Sequence, residues 1–312
     1  MEVRSISLRA SLGAVSFVGT GDIIASQFCC DSRRVQPGDV FVAMRGSRID
    51  GHRHLEAAIA AGAVSVIVER PSSHINVPQC VVADTRAAFA RICLARLGSP
   101  QRSINITGVT GTNGKTTTTW LLRSILETAG RTTGLLGTLE YFDGRTAEQA
   151  SLTTPDPEQL AQYMAQMAQN QVTDCVMEIS SHALDQQRCA GIRLTAAAIT
   201  NITQDHFDYH GDAEKYRAAK LQIVSLLAGE KPILLGIDDA GCQAIRKQLT
   251  PDRNVITFGF TSDAKMRVET LSYSQTGQSL RLFLDSGTVA VSYTHLRAHE
   301  TKANLVCRLL LE

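Results

Sequence analysis

The chain has 312 residues, enough for two domains with cores of their own. With 31 Lys and Arg against 30 Asp and Glu the net charge is +1, and aromatics make up 5%, which excludes an extended nucleic-acid surface. The 8 cysteines form no C-x-x-C pair, and no apolar run approaches the roughly 20 residues of a membrane span, so a zinc ribbon, a redox motif and a membrane anchor are not expected. Met1-Glu-Val-Arg-Ser-Ile6 lacks the apolar region of a secretion signal, and the expectation is a soluble cytoplasmic protein with reduced thiols.

Residues 1–98 read as a small α/β domain. Strands are predicted at Asp39–Met44, Val64–Val68 and Cys80–Ala83, and helices at His52–Ala61 and from an Asp84 cap to Leu97. Gly98–Ser103 reads as a linker. A second α/β unit, 99–290, opens with a strand over Ser103–Val109 and a helix over Thr116–Leu126. Further strands are predicted at Thr132–Thr138, Val172–Ile179, Thr195–Thr200, Pro232–Leu235 and Asn254–Phe258. A helix capped by Thr154 runs to about Asn170, and one capped by Asp212 runs to about Ala228. This alternation predicts a mainly parallel sheet with ligands beyond its strand C-termini. From Lys265 on, Met266–Leu271, Ser279–Asp285 and Gly287–Val291 alternate as antiparallel strands.

Between the strand and helix at 103–126 lies Gly111-Thr-Asn-Gly-Lys-Thr-Thr117, a phosphate-binding loop. Gly111 and Gly114 let successive N–H groups turn inward, the helix adds its positive end, Lys115 reaches outer phosphates, and the Thr116 hydroxyl suits Mg²⁺. The first glycine of the general pattern is replaced by Val109, while the core of the motif and its strand–loop–helix setting are intact. A nucleoside triphosphate is the expected ligand.

Three further clusters fall at predicted strand ends or nearby. Glu178, after an apolar strand, suits Mg²⁺. His206 and His210 stand i, i+4, but the glutamate of a zinc-protease motif is absent and Gly211-Asp212 argues for a loop, so a histidine beside Mg²⁺ or nucleotide is preferred to zinc. His210 by itself reads equally as a structural histidine or a ligand contact. Lys220 shares a helix face with Tyr216 and, on this segment alone, reads as solvated.

Taken together, Asp31-Ser-Arg33, Pro37-Gly-Asp39, Thr110–Thr116, Thr153-Thr-Pro-Asp156, Glu178-Ile-Ser-Ser-His182, Asp205-His206 with Tyr209-His-Gly211, and Ala219-Lys220 resemble the Mur ligases, the ATP-dependent amide-forming enzymes of peptidoglycan synthesis. The resemblance runs from about Leu8 to about Leu284. It is strongest to members that extend UDP-N-acetylmuramoyl-L-alanyl-D-glutamate with a diamino acid, meso-diaminopimelate or L-lysine. It implies an N-terminal UDP-binding domain and a P-loop central domain. Gly111, Thr112, Asn113, Gly114, Lys115, Thr116 and Thr117 would bind ATP, and Thr116, Glu178, His206 and a carbamylated Lys220 would hold Mg²⁺. Cys30, Ser32 and Ser47-Arg48-Ile49 match uridine-binding positions. Thr153, Thr154, Ser180, Gln186 and Arg188 match muramoyl-dipeptide positions. Lys115, Lys220 and His206 would be the catalytic set.

Two departures stand out. Gly236 occupies the place of an asparagine that helps read adenine in the family. Family members also continue into a C-terminal domain that receives the amino acid, whereas 291–312 reads as a non-native tail fused in frame. The resulting alternatives are a non-catalytic UDP-substrate and ATP-binding fragment, or a folylpolyglutamate synthase-like ligase, against which the Asp31-Ser-Arg33 and Thr153-Thr-Pro155 motifs argue.

Overall fold

The computed structural model describes residues 3–46, 49–205, 207–274 and 277–293. Ser47, Arg48, His206 and most of the expected tail, 294–312, lie outside the described residues. The described residues of Met1–Pro100, Asp156–Ala165 and Gln186–Gly191 form one compact unit, and those of Gln101–Pro155, Gln166–Asp185 and Ile192–Glu312 form another. The sequence reading assigned 156–165 and 186–191 to the central domain; by packing they group with the N-terminal residues.

The first unit contains β1 (Ile6–Ser7), α1 (Leu8–Leu12), β2 (Ser16–Val18), β3 (Ile24–Ala25), β4 (Phe28–Cys29), β5 (Val40–Val42), α2 (Leu55–Ala60), β6 (Ser65–Val68), β7 (Gln79–Val81) and α3 (Thr85–Arg96). The main sheet has the order β2-β7-β6-β5-β4, parallel except for β2, while β1 and β3 pair separately. β5 and β6 are buried along their whole length, as expected of apolar strands covered on both faces. Phe41, Ala43, Val66 and Val68 pack against Leu55 and Ala58 of α2. Asp84 caps α3 by accepting the Ala87 N–H at 2.9 Å.

The second unit carries an 11-stranded sheet. Its elements are β8 (Asn105–Thr110), α4 (Lys115–Thr128), β9 (Thr133–Leu136), β10 (Glu140–Phe142), β11 (Ala147–Gln149), α5 (Pro157–Gln169), β12 (Asp174–Glu178), α6 (Ser181–Asp185), β13 (Ala196–Ile199), α7 (Phe207–His210), α8 (Ala213–Leu221), β14 (Ile233–Gly236), α9 (Ala240–Gln248), β15 (Val255–Gly259), β16 (Met266–Ser274), β17 (Gly277–Leu284) and β18 (Gly287–Tyr293). Most of α5, residues 157–165, belongs to the other unit. The strand order is β11-β10-β9-β12-β8-β13-β14-β15-β16-β17-β18. The strands from β9 to β16 run parallel, and antiparallel strands extend both edges. Val109, Leu135, Val176 and Ala198 form one core layer, packed against Leu122 and Leu126 of α4. The α/β fold class is therefore as expected.

Two helix starts and ends differ from expectation. The helix expected from a Thr154 cap begins at Pro157, and Asp156 accepts the Gln159 N–H at 2.9 Å instead. Thr154 is diverted, donating to the Glu178 carbonyl at 3.0 Å and accepting the Ser180 N–H at 3.0 Å. The helix expected to reach Ala228 is α-helical only to Leu221, then tightens into a 3₁₀ turn over Gln222–Leu226.

Candidate functional site

The loop from β8 to α4 has the backbone that its glycines predict. Gly111 has φ +151° and Gly114 φ +86°, both in space that L side chains rarely adopt. A Cβ on Gly111 would overlap the Thr200 hydroxyl. The loop is braced from the end of β13: Asn201 accepts the Asn113 N–H and donates to the Asn113 carbonyl, both at 3.0 Å, and the Thr200 hydroxyl donates to the same carbonyl at 2.6 Å. Lys115 Nζ folds back onto the loop and donates to the Gly111 and Thr112 carbonyls at 2.9 and 3.0 Å. Asn201 was given no role from sequence, and Thr200 only the end of a predicted strand.

Glu178, the last residue of β12, is fully buried. Parallel pairing sets it opposite Val109, one residue from the start of the loop. Its Oε2 accepts the Thr116 hydroxyl at 2.9 Å and the Thr138 hydroxyl at 3.0 Å; its Oε1 accepts the Thr138 N–H at 2.9 Å. Thr153 lies 3.2 Å from Thr138, oxygen to oxygen, and Thr154 and Ser180 are joined through the Glu178 carbonyl and the Ser180 N–H. Thr138 carried no sequence signal beyond its place at a strand end. The Thr116–Glu178 pair offers oxygen donors only, and among the described residues no group of three or more His, Cys, Asp or Glu converges on one point. That donor set fits Mg²⁺, which keeps waters and shares its shell with phosphates.

The solvated reading of Lys220 is corrected. The 9 residues of α8 bury Tyr216, Ala219 and Lys220 on one side, and Lys220 is 1% exposed. Its Nζ donates to the Gly111 carbonyl at 2.7 Å and lies 4.6 Å from the centre of the Tyr216 ring. Burial, then the charge of Lys115, hold its amine well below its ordinary pKa, against a smaller opposing effect of Asp205. The Tyr216 hydroxyl meets that of Thr112 at 3.1 Å, which ties α8 to the loop. His210 is buried and its Nε2 is 3.0 Å from the Ser181 hydroxyl.

The remaining expected residues lie in the first unit. Asp31 accepts from Arg33 Nε and Nη2 at 2.9 and 2.8 Å, which closes the turn carrying Ser32 and lowers the Asp31 pKa to about 2. Cys30 is partly buried, and burial raises its thiol pKa to about 11. Ile49 is exposed. Arg188 donates to Gln186 Oε1 at 3.0 and 2.7 Å, so this pair is joined.

Residues 26–96 match the Mur ligase family catalytic domain, and residues 109–310 match the Mur ligase middle domain. The UDP-N-acetylmuramoyl-L-alanyl-D-glutamate–2,6-diaminopimelate ligase of Geobacillus thermodenitrificans is 37% identical over 279 residues, covering 88% of this chain and 56% of that protein. The ligase of the same name from Syntrophomonas wolfei is 38% identical over 266 residues, 84% of this chain and 54% of that one. The chain thus spans about half the length of the curated relatives it matches. A solved structure of a UDP-N-acetylmuramoyl-L-alanyl-D-glutamate–2,6-diaminopimelate ligase shares the fold with a TM-score of 0.75 and 25% identity, over 97% of this chain and 62% of that chain. The middle-domain match alone takes in most of the sequence, and the chain belongs to the Mur ligase family.

Proposed function

We propose that this chain supplies the nucleotide- and acceptor-binding parts of a cytoplasmic, ATP-dependent ligase of peptidoglycan precursor synthesis. The ligase adds a diamino acid, meso-diaminopimelate or L-lysine, to UDP-N-acetylmuramoyl-L-alanyl-D-glutamate. The observation that carries the reading is the convergence on one phosphate-type loop of Lys115, Lys220 and the Thr116–Glu178 pair. The names of the relatives support the substrate, and among the described residues no helix is long and apolar enough to cross a membrane.

In this reading the acceptor carboxylate attacks the γ-phosphate of ATP, giving an acyl phosphate and ADP. The amine then adds to the acyl carbon, loses a proton and expels phosphate. Lys115 leaves the Gly111 and Thr112 carbonyls to meet the outer phosphates, and the N–H groups of 111–117 face the same charge. Thr116 and Glu178 would hold Mg²⁺, joined by Lys220 once carbamylated, with His206 added on the resemblance alone. The ion supplies compensation of the triphosphate charge. Lys220 is suited to carbamylation because its neutral amine adds to CO₂ and releases a proton, which exchanges a potential cation for an anion. Thr153, Thr154 and Ser180 would orient the acceptor in the second unit; Cys30, Ser32, Ser47, Arg48, Ile49, Gln186 and Arg188 would hold the UDP-substrate.

The test is ATP turnover by the 312-residue chain with UDP-muramoyl-dipeptide, Mg²⁺ and hydroxylamine, which intercepts an acyl phosphate as a hydroxamate. Equal amounts of ADP and hydroxamate are expected. Nucleotide binding without hydroxamate would instead establish a non-catalytic binding fragment.

A further inference from the structure

Glu178 is a fully buried carboxylate, and among the described residues its three side-chain hydrogen bonds come from neutral donors. A buried anion without a cationic partner is strongly unfavourable unless its orientation and hydrogen bonds are maintained. Two of the three donors belong to one residue, Thr138, which uses both its N–H and its hydroxyl and so grips both carboxylate oxygens.

The turn between β9 and β10 is shaped for this grip. Gly137 N–H donates to the Glu140 carbonyl at 3.1 Å, which closes the turn. A Cβ on Gly137 would overlap Glu178 Oε1 and lie 3.1 Å from its carboxyl carbon. A side chain at position 137 would therefore have to displace the Glu178 carboxylate, and Thr138 follows directly against it.

The hydroxyl of Thr138 also lies 3.2 Å from that of Thr153. Thr138 has a single hydroxyl proton, and a carboxylate only accepts. The Thr138 hydroxyl is the donor in both contacts, to Glu178 Oε2 at 3.0 Å and toward Thr153 Oγ1 at 3.2 Å, and the carboxylate is the nearer and stronger acceptor. That one hydroxyl thus joins the Thr153 loop to the carboxylate facing Thr116.

The geometry points to Thr138 as a positioning residue that, through its hydroxyl, aims Glu178 for the divalent cation of a bound nucleotide. This rests on the nucleotide-binding function proposed above. Partners one layer behind a ligating group fix its orientation, and their loss typically weakens metal affinity 10- to 100-fold.

The test uses the whole chain and a non-hydrolysable ATP analogue, followed calorimetrically while Mg²⁺ is titrated. Thr138→Val keeps the shape and the backbone N–H and removes only the hydroxyl. It should raise the Mg²⁺ needed for half-maximal binding by roughly 10- to 100-fold, and leave analogue binding in EDTA unchanged. Thr138→Ser, which keeps the donor, should restore the wild-type Mg²⁺ requirement. A Thr138→Val chain with the wild-type requirement, or a Thr138→Ser chain as impaired as Thr138→Val, overturns the positioning role alone. An unmodified chain that binds no analogue with or without Mg²⁺ overturns the nucleotide reading, and this inference with it.

Discussion

Lys115 and Lys220 donate to the same oxygen, the carbonyl of Gly111, at 2.9 and 2.7 Å. Two ammonium groups so close repel, and the buried one yields its proton first. Burial and the Lys115 charge both lower the Lys220 pKa. Lys115→Met removes the like charge, so Lys220 should titrate at higher pH than in the wild type. In protein labelled with ¹³C-lysine, the Lys220 Cε resonance, assigned by its loss in Lys220→Met, should move its midpoint upward. A midpoint that stays in place would separate the two amines energetically despite their shared acceptor.

The same burial sets a pH dependence of stability. Between the lowered folded-state pKa of Lys220 and its ordinary 10.5, the unfolded chain binds a proton that the folded chain does not. Wild-type stability therefore rises with pH across that window. Lys220→Met lacks this titration, and Gly111 keeps Lys115 as a donor. The melting temperature of the variant, relative to wild type, should be highest at the low end of the window and fall toward pH 10.5. A relative melting temperature that climbs with pH would contradict the buried neutral amine.

How much of this was legible depended on whether the cause was local. Gly111, Gly114 and Lys115 were readable because a loop that wraps an anion imposes its backbone demands on adjacent residues. The parallel sheet was readable because β5 is wholly apolar and β6 and β12 carry apolar stretches over 66–68 and 175–177. Thr138 was not, because its partner Glu178 is 40 residues away and a threonine at a strand end has no periodic signature. Lys220 was misread for a related reason: α8 alternates polar and apolar residues like a surface helix, and only the approach of the Gly111 carbonyl, 109 residues distant, makes a buried lysine tolerable. The Thr154 cap failed because Thr154 answers to Glu178 and Ser180 across the sheet rather than to its own helix. The short strands β2, β3 and β4 offered too few residues to show alternation.

Lys115→Ala tests the catalytic half of the proposal. It removes the mobile charge expected at the transferring phosphoryl group while leaving the glycine backbone in place. Loss of one such electrostatic contact costs about 10²- to 10³-fold in rate, and hydroxamate formation should fall at least that far. Undiminished hydroxamate in this variant would remove Lys115 from the mechanism.

Tyr216→Phe probes the tie between α8 and the loop. Tyr216 is 1% exposed, its hydroxyl meets Thr112, and burial raises its pKa to about 12. Phenylalanine keeps the ring beside Lys220, and Thr112 Oγ1 still accepts the Thr203 N–H at 3.0 Å. The expected loss is about 1 kcal/mol, the usual worth of one neutral hydrogen bond. Because the phenol stays protonated across the neutral range, urea unfolding should give the same loss at pH 6 and pH 9. A loss confined to the higher pH would mean that the hydroxyl ionises.

The last prediction concerns Gly236, where the family resemblance calls for asparagine. Gly236 ends β14 between β13 and β15, and a Cβ there would overlap the Thr200 carbonyl and lie 3.3 Å from two ring carbons of Phe258. Thr200 also holds the loop, through its N–H to the Thr110 carbonyl at 3.0 Å and its hydroxyl to the Asn113 carbonyl. Restoring the family residue should therefore displace the brace of the phosphate loop. Gly236→Asn is expected to destabilise the chain by about 1–3 kcal/mol, the range for overpacking a filled site, and to weaken ATP-analogue binding. Denaturant melts together with analogue titrations decide the point. Unchanged stability with tighter binding would mean that the end of β14 yields to the side chain and that asparagine can resume a base contact here.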